Sequence, residues 1–401
     1  MTLEECRDRL LKHTLPILNT SVLPLREAFG RILAEEIRAP FPVPGFPRSA
    51  MDGYGVKARD TLGASREKPA RLKVLGELHA GDYAEIPYEE KSAVRVMTGA
   101  FIPEGFDAVV MQEDTDFGEE AVSVYQAVEP FQNYCPLGEE IQEGQLAIQK
   151  GKRIGRAEAG LLASLGIGRV SVRRPLRAGI MSTGSELLHP HESMEPGRIY
   201  GSISAMLCFS VESMGFEVVR EELCPDSEEE IIRMIRELSG EADLILTTGG
   251  LGPGKKDLLL KALSGLGAQI LFSGADVKPG TPTAGCFYRG RIILCLSGNP
   301  FAALANFDYY FPYLASKYTG SEDFLPVEGE AVLQDPYLKK ETLRRLIRAR
   351  IEDGKAYLPA PVHKASVFGN TALCNGYIDL EPGRAVSPGE TVRVRMLRGF
   401  L

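Results

Sequence analysis

The residues of this chain that could do chemistry gather where short apolar runs stop. Leu244-Ile245-Leu246 is too short for a helix and is bounded by turn residues, so it reads as a buried parallel strand. Thr247 and Thr248 end that strand, and Gly249-Gly250 supplies backbone that can take positive φ. The loop runs on through Gly252-Pro253-Gly254 and Lys255 to Asp257, where a helical pattern restarts. Strand, glycine loop and helix together expose N–H groups at the carboxyl end of a parallel strand, where anions such as phosphate bind. Alone, the same loop fits a tight connection equally well. Two further strands end in the same way. Ala178-Gly179-Ile180-Met181 leads into Ser182-Thr183-Gly184-Ser185-Glu186, and Arg291 to Leu296 leads into Ser297-Gly298-Asn299-Pro300. Several small, polar strand ends on one sheet meet along its carboxyl edge, the usual ligand crevice of open α/β sheets. Earlier in the chain, Thr98-Gly99-Ala100 ends another apolar run with a hydroxyl and a small-residue turn, placed either to face a ligand or to satisfy its own loop.

The elements that must position these residues follow from periodicity. Thr2 and Glu5 fit a capping box ahead of a helix with an apolar stripe at Leu3, Cys6, Leu10 and Leu11. A second helix is expected over 25–36, before the prolines at 40, 42, 44 and 47. From Asp52-Gly53, a turn signal, to about residue 140 the apolar runs are short and separated by turns, so an all-β insert is expected. A helix is predicted over 157–165, and from Val170 onward helices over 204–214, 227–238 and 301–313 alternate with strands. That alternation implies a parallel α/β sheet. The last segment, from Leu325, carries short strands and reads as a small β-barrel-like domain.

Composition narrows the classes. With 401 residues, 44% hydrophobic and 25% charged, the chain is expected to hold several globular domains. A net charge of −8 offers no basic footprint for nucleic acid. Seven scattered cysteines, an odd number without a C-x-x-C pair, argue for reduced thiols. The N-terminus is charged and amphipathic, unlike a signal peptide, and no window approaches a membrane span, so a cytoplasmic protein is expected. His189-Pro190-His191-Glu192 reads as a solvated loop, and neither a Walker loop nor a Ser-His-Asp arrangement can be argued.

In combination the motifs are no longer generic. SAMDGY (49–54), VMTGA (96–100) with a following P-x-G-x-DAVV, STGSEL (182–187), the TTGG loop, VKPGTP (277–282) and SGNP (297–300) occur in one order. This resembles the molybdenum-insertion family of molybdenum cofactor biosynthesis, the MoeA proteins and the gephyrin E domain, over nearly the whole chain. The resemblance implies a multidomain α/β and β fold. Its parts are a discontinuous helical linker domain (1–44 and 141–173), an all-β insert (45–140), a MogA-like α/β molybdopterin-binding domain (174–322) and a C-terminal β-barrel domain (323–401). It implies a homodimer whose cleft is shared between the α/β domain of one subunit and the β insert of the other. The implied reaction takes adenylylated molybdopterin and molybdate, uses Mg²⁺ and releases AMP. By resemblance, Asp52, Thr98, Glu186, Asp226 and Asp257 fall at catalytic positions, with Asp52 and Glu186 as the Mg²⁺ or molybdate side, and Glu140 also matches a site position. Substrate contacts are implied for Thr248, Gly249, Gly250, Lys255, Lys278, Ser297, Gly298, Asn299 and Pro300. Carboxylates would hold Mg²⁺ through oxygen, and the loop N–H groups with a lysine would hold phosphates.

The chain also departs from the family pattern. Ser185 stands where an acid usually precedes Glu186. Ile199-Tyr200-Gly201-Ser202-Ile203 replaces I-x-D-S-N, Gly252 and Lys255 replace a Ser and an acid in the glycine loop, Thr281 replaces a Lys, Ser297 a Pro and Cys135 an Arg. A second hypothesis follows from these exchanges: a diverged paralogue that binds pterin, nucleotide or cofactor as a carrier or regulator without insertion. A third is an enzyme on the same scaffold acting on another nucleotide-linked substrate or another oxyanion, such as tungstate.

Overall fold

The structure is a computed structural model and describes residues 1–251, 258–359 and 368–397. It contains two compact units, one formed by Met1–Ala34, Gly151–Ile154 and Ser171–Leu401, the other by Glu35–Lys150 and Gly155–Val170.

The larger unit is built on a six-stranded sheet with the order Glu217–Cys224, Arg177–Thr183, Leu244–Thr248, Arg291–Leu296, Ala284–Tyr288, Gln269–Ser273. The first four strands are parallel, Ala284–Tyr288 runs against them, and Gln269–Ser273 pairs antiparallel with Ala284–Tyr288. Every residue of Leu244–Thr248 is buried, as a strand covered on both faces requires. Helices Leu3–His13, Ser202–Ser213 and Pro300–Thr319 share one core with this sheet, and Glu228–Glu241 with Leu259–Gly265 share the other. The Thr2/Glu5 capping box forms as the sequence predicts. The helices expected over 204–214, 227–238 and 301–313 are present, the last extended to Thr319 before Gly320 takes a left-handed φ.

In the same unit, strands Val327–Leu333, Arg344–Glu352, Lys355–Tyr357, Gly376–Leu380 and Thr391–Met396 close into a five-stranded barrel through the pairing of Arg344–Glu352 with Gly376–Leu380. A short strand, Val277–Lys278, adds to the barrel in parallel with Arg344-Arg345. The helix expected over 25–36 is absent. Gly30 sits at φ +78, and Leu33 and Ala34 donate their N–H groups to Lys152 and Ser171, so strand-like pairing outcompetes helical bonding.

The smaller unit holds a five-stranded sheet in the order Ala108–Met111, Gly53–Val56, Ser92–Val96, Ala70–Leu78, Ala121–Val124. Alternating residues fill the two faces, with Tyr54, Ala93 and Val110 in one core and Val94, Val96 and Val109 in the other. Two ribbons, Arg48–Ser49 with Tyr134–Cys135 and Ile37–Arg38 with Leu146–Ile148, and a helix, Arg156–Ser164, complete it. Among the described residues no cysteine is bridged and no helix is long and apolar enough to cross a membrane.

Candidate functional site

In the larger unit the three small, polar strand ends meet, as the sequence predicts. They enclose a cavity of about 480 Å³ at the carboxyl edge of the parallel strands. Its floor is a line of hydroxyls: Thr248 donates to Ser182 Oγ at 2.8 Å, and Thr183 donates to the Thr248 carbonyl at 3.1 Å. Gly249 (φ +83) and Gly250 (φ +66) turn the chain away from the sheet. A Cβ at Gly249 would lie 2.4 Å from the Thr183 carbonyl oxygen, so only glycine lets the loop pass this close to the neighbouring strand. A Cβ on Gly298 would meet the Gly249 Cα at 3.4 Å, so the two glycine turns pack together.

Of the residues predicted for the site, Glu186, Asp226, Thr248, Gly249, Gly250, Ser297, Gly298 and Pro300 line the cavity. Asp226 accepts from the Ser185 N–H at 3.3 Å, with the Ser185 hydroxyl 3.5 Å away. The serine that stands in place of a family acid therefore binds the remaining acid instead of repelling it. Asn299 lies at the edge and caps the helix that follows, its Oδ1 accepting from Ala302 N at 3.2 Å.

Lys278 is placed differently. It does not line the cavity, although Pro282 from the same segment does, and it pairs with Glu341 of the barrel at 3.1 Å. Lys339 and Lys278 hold the Glu341 carboxyl down at about 2. Lys255 and Asp257 lie outside the described residues. Asp52 and Thr98 belong to the smaller unit, where Asp52 Oδ1 accepts both the backbone N–H and the hydroxyl of Thr98 at 2.7 Å. Those two bonds, the backbone one first, hold the Asp52 carboxyl below the ordinary aspartate range. Glu140, in the same unit, is exposed, its N–H donating to Val43; no bond between it and another candidate is present among the described residues.

Sequence reasoning passed over Ser182, Thr183, Tyr200 and Ser202 as site residues, although they line the cavity. The signal for the first two was present, since they occupy the strand end itself. Tyr200 and Ser202 arrive through the pairing of Leu187–Leu188 with Ile199–Tyr200, which periodicity does not reveal.

Among the described residues no group of three or more acidic, histidine or cysteine side chains could by itself hold a metal. The donor set nevertheless fits Mg²⁺. Glu186 and Asp226 are hard oxygen ligands in one cavity, and Mg²⁺ is commonly held by one or two carboxylates plus waters and substrate phosphates.

A parallel α/β sheet with this crevice, in one chain with a closed barrel and a separate β unit, defines a multidomain protein of α/β and β parts. Family models match accordingly: "MoeA N-terminal region (domain I and II)" over residues 1–166, "Probable molybdopterin binding domain" over 179–316 and "MoeA C-terminal region (domain IV)" over 330–397. The chain belongs to the MoeA family. It is 32% identical to the molybdopterin molybdenumtransferase of Staphylococcus epidermidis over 98% of this chain and 95% of that one. It is 33% identical to that of Haemophilus influenzae over the full length of both. The crystal structure of the molybdopterin biosynthesis moeA protein from Pyrococcus horikoshii superposes with a TM-score of 0.86 at 29% identity, covering 99% of each chain.

Proposed function

We propose that this protein is a molybdopterin molybdenumtransferase. It inserts molybdate into adenylylated molybdopterin in a Mg²⁺-dependent step that releases AMP, and it works in the cytoplasm as a homodimer with a cleft shared between subunits. The observation that carries this reading is the full-length identity to transferases together with a cavity where two acids face glycine turns and hydroxyls. In this reading the N–H groups of Gly249 and Gly250 and the hydroxyls of Ser182 and Ser297 bind phosphate oxygens. Glu186 and Asp226 hold Mg²⁺, which supplies charge neutralisation at the phosphates when bound. Asp52 serves with Glu186 on the Mg²⁺ or molybdate side, Thr98 and Asp257 are further catalytic positions, Lys255 is a substrate contact and Glu140 a further site position. Lys278 would first have to leave Glu341 to reach a phosphate. Residues 1–44 with 141–173, 45–140, 174–322 and 323–401 are carried as the four functional domains.

The test is single-turnover release of AMP from adenylylated molybdopterin with Mg²⁺, with molybdate or tungstate supplied. Oxyanion-dependent release supports the transferase and ranks the two oxyanions. Tight pterin binding without release would sink the enzyme and leave a carrier.

A further inference from the structure

Within the smaller unit, three aromatic side chains stand at the two paired segments that also carry the Asp52–Thr98 pair. Phe101 is half-buried and packs against one core of the five-stranded sheet. Phe46 and Tyr83 rest on it, with ring centroids 6.1 Å and 4.9 Å from that of Phe101. Yet Phe46 is 43% and Tyr83 71% exposed, so two large rings are left in water where burial would have stabilised the fold.

Their placement is built. Segments 47–52 and 98–102 run side by side through bonds from Ile102 N to Pro47 O, Ser49 N to Ala100 O and Gly99 N to Ser49 O, ending in the Thr98 bonds to Asp52. The rings sit at one end of this pair of segments and the carboxylate at the other. Three residues from Phe101 to Thr98 span at most about 10 Å. Tyr83 follows a turn fixed by Asp82, whose N–H donates to the His79 carbonyl while its carboxylate accepts from the His79 N–H. The turn lies against the Thr98 loop, because a Cβ on Gly99 would meet Ala80 Cβ at 3.7 Å. Arg48, paired through its backbone with Phe101, carries a cation at the same edge.

We propose that Phe46, Tyr83 and Phe101 form a stacking platform for the flat nitrogen heterocycle of the substrate, with Arg48 at its edge to meet the anionic part. Exposed aromatic faces bind heterocycles by stacking and tolerate differences in ring substituents. A platform with a cation at its edge suits a ligand with a ring at one end and oxyanion groups a short chain away. This inference rests on the transferase reading, and either the pterin or the adenine could be the ring that stacks.

The chain contains no tryptophan, so Tyr83→Trp creates a single reporter. Calorimetric titration of the intact protein with AMP and, separately, with 6-hydroxymethylpterin identifies the ring. The expected result is that Phe46→Ala and Tyr83→Ala each weaken binding of one probe about tenfold and raise KM by a similar factor, with kcat changed less than twofold. Tyr83→Phe keeps wild-type affinity, because the ring and not the hydroxyl does the binding, and emission of Tyr83→Trp changes saturably with the same probe. Wild-type affinity in both alanine variants, in a protein that still releases AMP, overturns the platform and leaves the transferase standing. A change of oligomeric state in Tyr83→Ala overturns it in favour of a subunit contact. Failure of the wild-type protein to bind either probe or to release AMP removes both readings.

Discussion

Asp52 accepts two hydrogen bonds from a single residue, the backbone N–H and the hydroxyl of Thr98, both on Oδ1 at 2.7 Å. The carboxylate thus fixes the loop and stays ionised, since both bonds favour its charged form. These roles separate by substitution. Asp52→Asn retains an acceptor for Thr98 but loses the charge, and is expected to melt only slightly below wild type while losing roughly 10²-fold in AMP release. Asp52→Ala is expected to lose both. Because its folded pKa is depressed, the stability Asp52 contributes is present above the ordinary aspartate range and is lost only as pH falls through it. An inflection near neutral pH in the wild-type rate profile that vanishes in Asp52→Asn would contradict this.

Two glycines with nearly the same backbone angle test whether the glycine loop is held by conformation or by space. Gly249 (φ +83) and Gly267 (φ +82) share the left-handed region, but a Cβ at Gly267 meets nothing within 4 Å. Gly267→Ala should cost about 1 kcal/mol, the price of the angle alone. Gly249→Ala adds the collision with the Thr183 carbonyl and should cost about 2–4 kcal/mol, with loss of AMP release as the cavity floor shifts. Equal denaturant midpoints for the two variants would remove the close approach as the reason for glycine at 249.

The α/β half of the site was legible because its signals are local. An apolar run followed by Ser-Thr-Gly, Thr-Thr-Gly-Gly or Ser-Gly-Asn-Pro marks both a strand and its carboxyl end, and parallel pairing then brings the ends together. Lys278 was not legible in the same way. Its motif points to phosphate, but the strand it lies on adds to the barrel, where Glu341 competes for the ammonium group. The turns at 25–36 were misread for a related reason, since the apolar spacing there serves pairing with distant residues 152 and 171. Tyr200 enters the cavity through a two-residue strand pair that carries no periodic signal at all. Departures from the family pattern were visible in sequence, but their consequence was not: only the geometry shows Ser185 bonded to Asp226.

Asp308 gives the fold a pH dependence of its own. It lies on the long helix Pro300–Thr319, accepts from the Tyr377 hydroxyl of the barrel at 2.6 Å, and burial pushes its carboxyl up to about 7. The unfolded chain ionises this group from about pH 4, while the folded chain holds the proton until about 7. The stability it contributes in acid is therefore lost progressively as pH rises between those values. Asp308→Asn still accepts from Tyr377 and has no proton to lose. It should be more stable than wild type near pH 8 by on the order of 2–4 kcal/mol and nearly equal to it near pH 4. Parallel plots of denaturant midpoint against pH for the two proteins would refute this assignment.

Gly201 offers a gain rather than a loss. It precedes the helix Ser202–Ser213, lines the cavity and provides no side-chain cap. Its φ of −71 is open to any residue, and a Cβ there would meet only the mobile end of Leu223 at 3.2 Å, with the Leu188 carbonyl and the Ser204 hydroxyl at 3.6 Å. An aspartate would cap the free N–H groups and favour the positive end of the helix, so Gly201→Asp should raise stability by a few tenths to about 1 kcal/mol. It would also return to the cavity the acid that the family pattern places there. If the missing acids limit turnover, Gly201→Asp combined with Lys255→Asp should raise Mg²⁺-dependent AMP release above wild type. A double variant that is more stable but no faster would separate the two effects. The glycine would then cost the helix a cap without costing the reaction an acid, and the altered cleft would be tolerated drift within a working transferase.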